Sequence, residues 1–338
     1  MVVEQIKIVV TDYIEPDLKW EAEELAKYDS VRFEVHQLKF APQEELIAAI
    51  RDADVVVVNM APMTAEVIGA LEQCRTIIRH GIGYDNVDLK AATAKGIRVA
   101  NIPDYCPEEV AEHTIAHIFA CYRQVVFSRK VLEESSRKGL WDFSGVPRMF
   151  RLSGKTLGIV GCGRVGSRVL KKTKGLEMRY LICDPYLPEE RKRELGIECV
   201  DLETVLKGSD IVTLHTPLNE ETRHMIAAPQ LRMMKQAAYL INTARGSIVD
   251  VEALAQALRE GWIFGAGIDV YDKEPPDPSY PLFGLENAVL TPHLAWNSEE
   301  AGWDIRVKIL EDIRRFMEGK PPRFVVNPEV EEVLGRRK

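Results

Sequence analysis

Leu157-Gly158-Ile159-Val160-Gly161-Cys162-Gly163-Arg164-Val165-Gly166 is the stretch on which the fold turns. Residues 157–160 form an apolar strand pattern, and a helical pattern runs on through Val169 and Leu170, so the glycines stand at a strand-to-helix turn. Each is needed for a different reason. Gly161 permits the tight turn, Gly163 lets backbone approach a pyrophosphate, and Gly166 lets helix and strand lie close together. The helix start offers unbonded N–H groups and the positive end of its dipole, both of which attract an anion. Arg164 and Val165, between the last two glycines, are counted with the cofactor-binding residues. A glycine-rich turn alone decides little, because many loops use one. Its setting decides more. A second strand, 180–183, ends in Asp184, about 20 positions past Gly163, where a carboxylate meets adenosine ribose hydroxyls and repels a 2′-phosphate. The expected cofactor is NAD rather than NADP. The alternative is that Asp184, followed by Pro185, only caps a strand end.

Outward from that turn, runs rich in Val and Ile alternate with stretches of helical period, the pattern of βα units on a parallel sheet. In the first half the predicted strands are Ile6–Val10, Val31–Val35, 53–58, Thr76–Arg79 and Arg98–Ala100. In the second they are 157–160, 180–183, Ile211–Leu214, Tyr239–Asn242, Gly265–Ile268 and Ala288–Leu290. The stretch 107–138 has no Gly or Pro between its ends and reads as one long helix or two joined ones, opened by Pro107 and stopped by Gly139. Past His293, Asn297 with Glu300 has capping-box form and begins a helix running through Phe316 to a stop at Gly319. That helix lies beyond the second series and could return to the first domain, making it discontinuous. At 338 residues the chain exceeds one ordinary domain of about 100–200 residues, so two are expected.

Composition narrows the class. With 46% hydrophobic and 28% charged residues, the chain has the makeup of a soluble globular protein. Its longest apolar stretch, around Val55–Val58, is strand-sized and far below the roughly 20 residues that span a bilayer. The opening MVVEQIKIVVTD enters a strand pattern without the zones of a signal peptide. No membrane association and a cytoplasmic location are expected. A net charge of −8 speaks against a nucleic-acid partner, and Arg336-Arg337-Lys338 reads as a solvated tail. Cys74, Cys106, Cys121, Cys162, Cys183 and Cys199 include no CxxC pair and read as reduced packing residues.

Three further segments look unlike packing sequence: Asn242-Thr243-Ala244-Arg245-Gly246-Ser247, Asp269-Val270-Tyr271-Asp272-Lys273-Glu274-Pro275 and Thr291-Pro292-His293-Leu294-Ala295-Trp296. Each follows a predicted strand, and parallel sheets bind ligands at their carboxyl edge, so Arg245, Glu274 and His293 could converge. With Arg79-His80-Gly81-Ile82-Gly83-Tyr84-Asp85-Asn86-Val87-Asp88 and Gly154-Lys155-Thr156-Leu157-Gly158-Ile159-Val160, they give the chain, over nearly its whole length, a resemblance to the D-isomer-specific 2-hydroxyacid dehydrogenases, the family that includes phosphoglycerate dehydrogenase.

The resemblance implies an α/β protein of two doubly wound parallel-sheet domains. A flavodoxin-like substrate domain would comprise 1–105 plus 299–338, and a Rossmann NAD-binding domain 106–298. It implies a hydride transfer between nicotinamide and C2 of a small 2-hydroxy or 2-keto acid. Arg245 would hold the substrate carboxylate and keto oxygen, His293 would exchange the proton, and Glu274 would pair with His293. Asp269 would hold the nicotinamide carboxamide, backbone N–H groups around Ile82 and Gly83 would receive the substrate carboxylate, and Thr216, Pro217, Thr243 and Ala244 would line the cofactor. The residue types suit the chemistry. Ketone reduction puts negative charge on oxygen, which a guanidinium stabilises through two donors. Histidine titrates near neutrality, and a carboxylate partner favours its donor-ready form. Taken singly, Arg245 could be a surface residue of a polar turn, Glu274 a loop carboxylate and His293 a satisfied histidine.

Leu294, Ala295 and Trp296, with Asp184-Pro185-Tyr186 and Asn242-Thr243-Ala244-Arg245-Gly246, look more like the C-terminal binding protein branch, whose animal members are NAD-regulated corepressors. The Trp296 indole would favour an apolar substrate tail over a phosphate. The chain stops near residue 338 without the regulatory domain of some phosphoglycerate dehydrogenases, which sets the expectation against serine biosynthesis. The alternative to an enzyme is an NAD(H)-sensing scaffold that binds peptide partners. Trp141, after Gly139, belongs either to an arm through which the family forms homodimers or to the core. His113 and His117 have metal-ligand spacing, but no Glu follows His113 as an HExxH motif requires, and no metal is expected. His36, His80, His215 and His224 share no spacing and receive no chemistry, although His80 is close to the predicted substrate loop.

Overall fold

A computed structural model describes residues 5–336. The first four residues of the opening stretch, and Arg337 and Lys338 of the basic tail, lie outside the described residues. The chain divides into two compact units, one formed by the residues up to Tyr105 with those from Ser298 onward, the other by Cys106–Asn297.

In the first unit, β1 (Ile6–Val10), β2 (Val31–Val35), β3 (Val55–Val58), β4 (Thr76–Arg79) and β5 (Arg98–Ala100) form a parallel sheet of order β2-β1-β3-β4-β5, the flavodoxin-like order. Every residue of β3 is buried because both faces of the sheet are covered, which is why its sequence is an unbroken run of valines. Val56 and Val58 join Leu46, Ile50, Val67 and Ile68 on one face. Val55 and Val57 turn the other way, where the helix Glu299–Met317 supplies Ile305, Ile309, Leu310 and Ile313 at helical spacing. Full burial of each such side chain stabilises the unit by roughly 1.5–3 kcal/mol. The chain then closes the β5 side. Val325 bridges Ala100 in antiparallel fashion, and the Asn327 side chain accepts from Val99 N at 2.8 Å and donates to Ile97 O at 3.0 Å. The helix is capped by Ser298, whose hydroxyl accepts from Ala301 N at 2.9 Å, and not by Asn297 as the sequence pattern suggested. The Asn297 N–H instead closes a turn onto Leu294 O, one residue ahead of the cap.

The second unit holds β6 (Thr156–Val160), β7 (Arg179–Cys183), β8 (Ile211–Leu214), β9 (Tyr239–Asn242), β10 (Gly265–Ile268) and β11 (Ala288–Leu290), all parallel, in the order β11-β10-β9-β8-β6-β7. Cys199 adds a single parallel bridge to Ile182 of β7. It occupies the place of the third strand in the 3-2-1-4-5-6 Rossmann order, reduced here to one residue. The stretch 107–138 is two helices, Pro107–Tyr122 and Val125–Arg137, because Gln124 adopts a left-handed φ of 52°. Its buried amide explains the break, donating to Cys121 O at 2.9 Å and to the Tyr239 hydroxyl at 3.0 Å. Among the described residues, no helix is long and apolar enough to cross a membrane. The six cysteines are free, four buried and two half-buried, and burial pushes the Cys74, Cys121 and Cys162 thiols up to about 12.

Candidate active site

The strands of the second unit all point their carboxyl ends to one edge, and every site residue predicted in that unit follows a strand end. After β6, Gly161 has a φ of +87°, and a Cβ on it would come within 2.8 Å of the His215 backbone. A Cβ on Gly166 would lie 2.0 Å from Gly161 O, so the helix Arg164–Thr173 rests directly on the turn. A Cβ on Gly163 would meet nothing within 4 Å, which leaves that backbone approachable. The helix ladder opens with Ser167 N to Gly163 O, so the N–H groups of Val165 and Gly166 precede the first intrahelical bond. At the end of β7, Asp184 accepts from Cys162 N at 2.8 Å and Tyr186 N at 3.1 Å, holding its carboxylate against the glycine turn. At the end of β8, the buried Thr216 hydroxyl has no hydrogen-bond partner among the described residues, and Pro217 follows it. These features fit a dinucleotide: N–H groups for a pyrophosphate at the end of β6, a carboxylate for ribose beside them at the end of β7, and an unused hydroxyl on their other side at the end of β8.

Beyond β9, the Asn242 side chain builds the turn, accepting from Ala244 N at 3.1 Å and donating to Arg245 O at 2.8 Å. Thr243 bonds Thr114 through their hydroxyls at 2.8 Å. Glycine is required at 246, because a Cβ there would come within 2.0 Å of the Tyr271 carbonyl carbon. That close approach sets the Arg245 turn against the loop that carries Glu274. Arg245 is half-buried, and its Nη1 donates to Ala244 O at 2.7 Å.

Glu274 and His293 meet directly, with Nδ1 of His293 at 2.9 and 2.8 Å from the two carboxylate oxygens. A carboxylate only accepts, so Nδ1 carries the proton and Nε2 is the ring atom left to exchange one with a ligand. Burial works to raise the Glu274 carboxyl, yet the His293 hydrogen bond and charge, Tyr271 N–H and the Arg245 charge together hold it below the usual carboxylate value. His293 has a left-handed φ of 55°, a conformation that costs a non-glycine residue about 1–3 kcal/mol and persists only where the surroundings enforce it. Asp269 enforces it, accepting from His293 N through its carbonyl at 2.7 Å and from Leu294 N and Ala295 N through its carboxylate, both at 2.9 Å. Trp296, at the end of this segment, is half-buried.

Sequence reasoning set His113 and His117 aside, but the structure brings both to Asp269. Their Nε2 atoms stand 3.0 and 2.9 Å from the Thr291 hydroxyl, which donates to Asp269 at 2.5 Å. Their spacing, which puts both rings on one helix face, was the only signal available; Thr291 gave none.

In the first unit, the loop after β4 is held by Asn101, which donates to Ile82 O at 2.6 Å, and by Ile102 N bonded to Gly81 O at 3.0 Å. His80 is buried, 3.0 Å from the equally buried Glu15.

A family model described as D-isomer specific 2-hydroxyacid dehydrogenase, NAD binding domain, matches residues 115–295. The chain is 42% identical over 292 residues to a glyoxylate reductase of Korarchaeum cryptofilum, covering 85% of this chain and 87% of that one. It is 40% identical over 294 residues to a D-3-phosphoglycerate dehydrogenase of Archaeoglobus fulgidus, where the match covers 86% of this chain but only 54% of the relative. Among solved structures, D-lactate dehydrogenase of Aquifex aeolicus, complexed with NAD and lactic acid, superposes with a TM-score of 0.81 at 29% identity, over 92% of this chain and 96% of that one. The fold and the strand-end residues define a nucleotide-binding oxidoreductase. The chain belongs to the D-isomer specific 2-hydroxyacid dehydrogenase family and uses a nicotinamide cofactor.

Proposed function

We propose that the chain reduces a modest-sized 2-keto acid to the D-2-hydroxy acid with NADH, and runs the reverse oxidation with NAD. The observation that carries this reading is the His293–Glu274 pair, which leaves one ring nitrogen for proton exchange beside Arg245. The bound cofactor supplies the hydride, received by C2. The His293 imidazolium gives its Nε2 proton to the keto oxygen while the ring keeps its Nδ1–H, donated to the Glu274 carboxylate, so the ring ends neutral and the product is an alcohol. Arg245 orients the substrate carboxylate and offsets the charge growing on the keto oxygen. Thr216, Pro217, Thr243, Ala244 and Asp269 line the cofactor. The bulk of the Trp296 indole favours an apolar substrate tail over a phosphate.

A panel of 2-keto acids assayed with NADH and with NADPH tests this. At least one acid is expected to turn over at about 1 per second or faster with NADH preferred, and Asp184→Ala to narrow that preference; turnover below about 0.1 per second on every acid would favour the peptide-binding scaffold instead. The relatives named above, a reductase and two dehydrogenases, weigh toward the enzyme.

The protein is further proposed to be a homodimer. Trp141 is 85% exposed, which removes its reading as a core residue, and Phe143, Leu140, Leu132, Val125 and Val126 are exposed around the same stretch. Exposed apolar surface of this extent supports an interaction face, and the resemblance to a family that dimerises through such an arm favours a second copy as its occupant. Light scattering should read twice the chain mass of 38.2 kDa; the single mass would reject the dimer. The free thiols fit a cytoplasmic location, which recovery of the protein outside the cell in fractionation would overturn.

A further inference from the structure

Asp269 is fully buried and sits where β10 ends. Its side chain is gripped from two sides. Oδ1 takes the Thr291 hydroxyl at 2.5 Å, Leu294 N at 2.9 Å and His113 Nε2 at 3.3 Å, while Oδ2 takes Ala295 N at 2.9 Å. With the carbonyl bond from His293 N, the N–H groups of three consecutive residues all end on Asp269. The turn that presents His293 is therefore wrapped around this one residue, and whatever orients the carboxylate orients the turn.

The Thr291 hydroxyl does the orienting, and its valence shows how. A hydroxyl has one proton to give and two lone pairs to fill. The proton goes to Asp269, since a carboxylate can only accept. The lone pairs face Nε2 of His113 at 3.0 Å and of His117 at 2.9 Å, so both rings must carry Nε2–H. The other nitrogen of His117 agrees with this assignment. Nδ1 is buried without a hydrogen-bond partner among the described residues, at a spot where a Cβ on Gly267 would lie 2.8 Å away. A proton on Nδ1 would be a buried donor with no acceptor, which is costly, whereas a bare lone pair is less so. Burial and the neighbouring His113 lower His117 to about 4, so the ring stays a neutral donor through ordinary pH. The ligating atoms of His113, His117 and Asp269 also lie within 4.8 Å of one another, the spacing of a metal triad. A cation there would have to displace both Nε2 protons and break a set of hydrogen bonds in which every donor and lone pair of the hydroxyl is used. The geometry favours the hydrogen-bonded hub.

We propose that Thr291, held by His113 and His117, is a positioning residue that locks Asp269 and, through it, the left-handed turn carrying His293. This rests on the reading of His293 as the proton-exchanging group.

Thr291→Val removes the hub and keeps the shape. Its kcat is expected to fall about 10- to 100-fold with little change in KM for the keto acid, because a reacting group displaced by a fraction of an ångström loses alignment before it loses binding. Thr291→Ser, which restores the hydroxyl, should return kcat to within roughly 3-fold of the parent. In cofactor-free protein, nitrogen-15 NMR of the histidine rings should show His113 and His117 as Nε2–H tautomers, with both signals perturbed in the Val variant and retained in the Ser variant. Should the Val variant fail to fold, His113→Phe tests the same link at a half-buried position, with kcat expected to fall about 3- to 10-fold. A folded Thr291→Val protein with unchanged kcat, an Nδ1–H tautomer at His117, or an unfolded Val variant alongside an unaffected His113→Phe would each overturn the hub. An active His293→Ala enzyme sinks the underlying reading. An inactive one beside an unaffected Thr291→Val sinks this inference alone.

Discussion

Replacing His293 with alanine lowers turnover by about 100- to 10 000-fold, the usual worth of a positioned general acid, while NADH affinity stays close to that of the parent. The side chain's hydrogen bonds are to Glu274, so its removal takes away the proton and leaves the glycine turn and Asp184 untouched. The three N–H groups that end on Asp269 belong to backbone and survive the change. Alanine is a poor occupant of a φ of 55°, so part of its effect could come from the turn. His293→Asn separates the two, because asparagine adopts that backbone readily and supplies no imidazole. Equal losses in both variants, with unchanged NADH binding by fluorescence titration, assign the effect to the ring. Substantial activity in either one removes His293 from the mechanism.

Arg245→Ala is expected to cost about 100- to 1000-fold in kcat/KM, the scale at which enzymes lose a fixed donor to a developing oxyanion. Arg245→Lys should recover only part of this. An ammonium keeps the charge and loses the planar fork that can hold a carboxylate and a keto oxygen together. The position is well suited to such a fork. Asn242 fixes the preceding turn, and the absence of a side chain at Gly246 lets that turn lie against the Tyr271–Asp272 backbone, bringing Arg245 within electrostatic reach of Glu274. A loss below about 10-fold, or full recovery with lysine, would show that the guanidinium does not contact the reacting groups.

The strands and the glycine turn were legible because their signals are local. Valine runs such as Val55–Val58 and the three glycines of 161–166 each state their requirement within a few residues. Choices left open, and departures from the expected pattern, arose where distant residues decide. Of the one helix or two that the sequence allowed over 107–138, Gln124 selects two without Gly or Pro, because its amide is drawn to Tyr239, far along the chain. The third Rossmann strand left only Cys199, too short for a strand pattern. Asn297 and Ser298 are both good caps, and sequence could not choose between neighbours. His113 and His117 were set aside on a correct rule about zinc motifs, since their partner, Thr291, joins them only through the packing of the helix Pro107–Tyr122 on the sheet.

The return of the chain to its first unit bears on how the protein is made. On the ribosome, β1 to β5 emerge well before the helix residues Ile305, Ile309, Leu310 and Ile313 that cover one face of their sheet. All of β6 to β11 lies between. The interrupting unit therefore has its full complement of residues while the earlier one still exposes a greasy flank, and that interval is when the nascent polypeptide most needs protection from clumping.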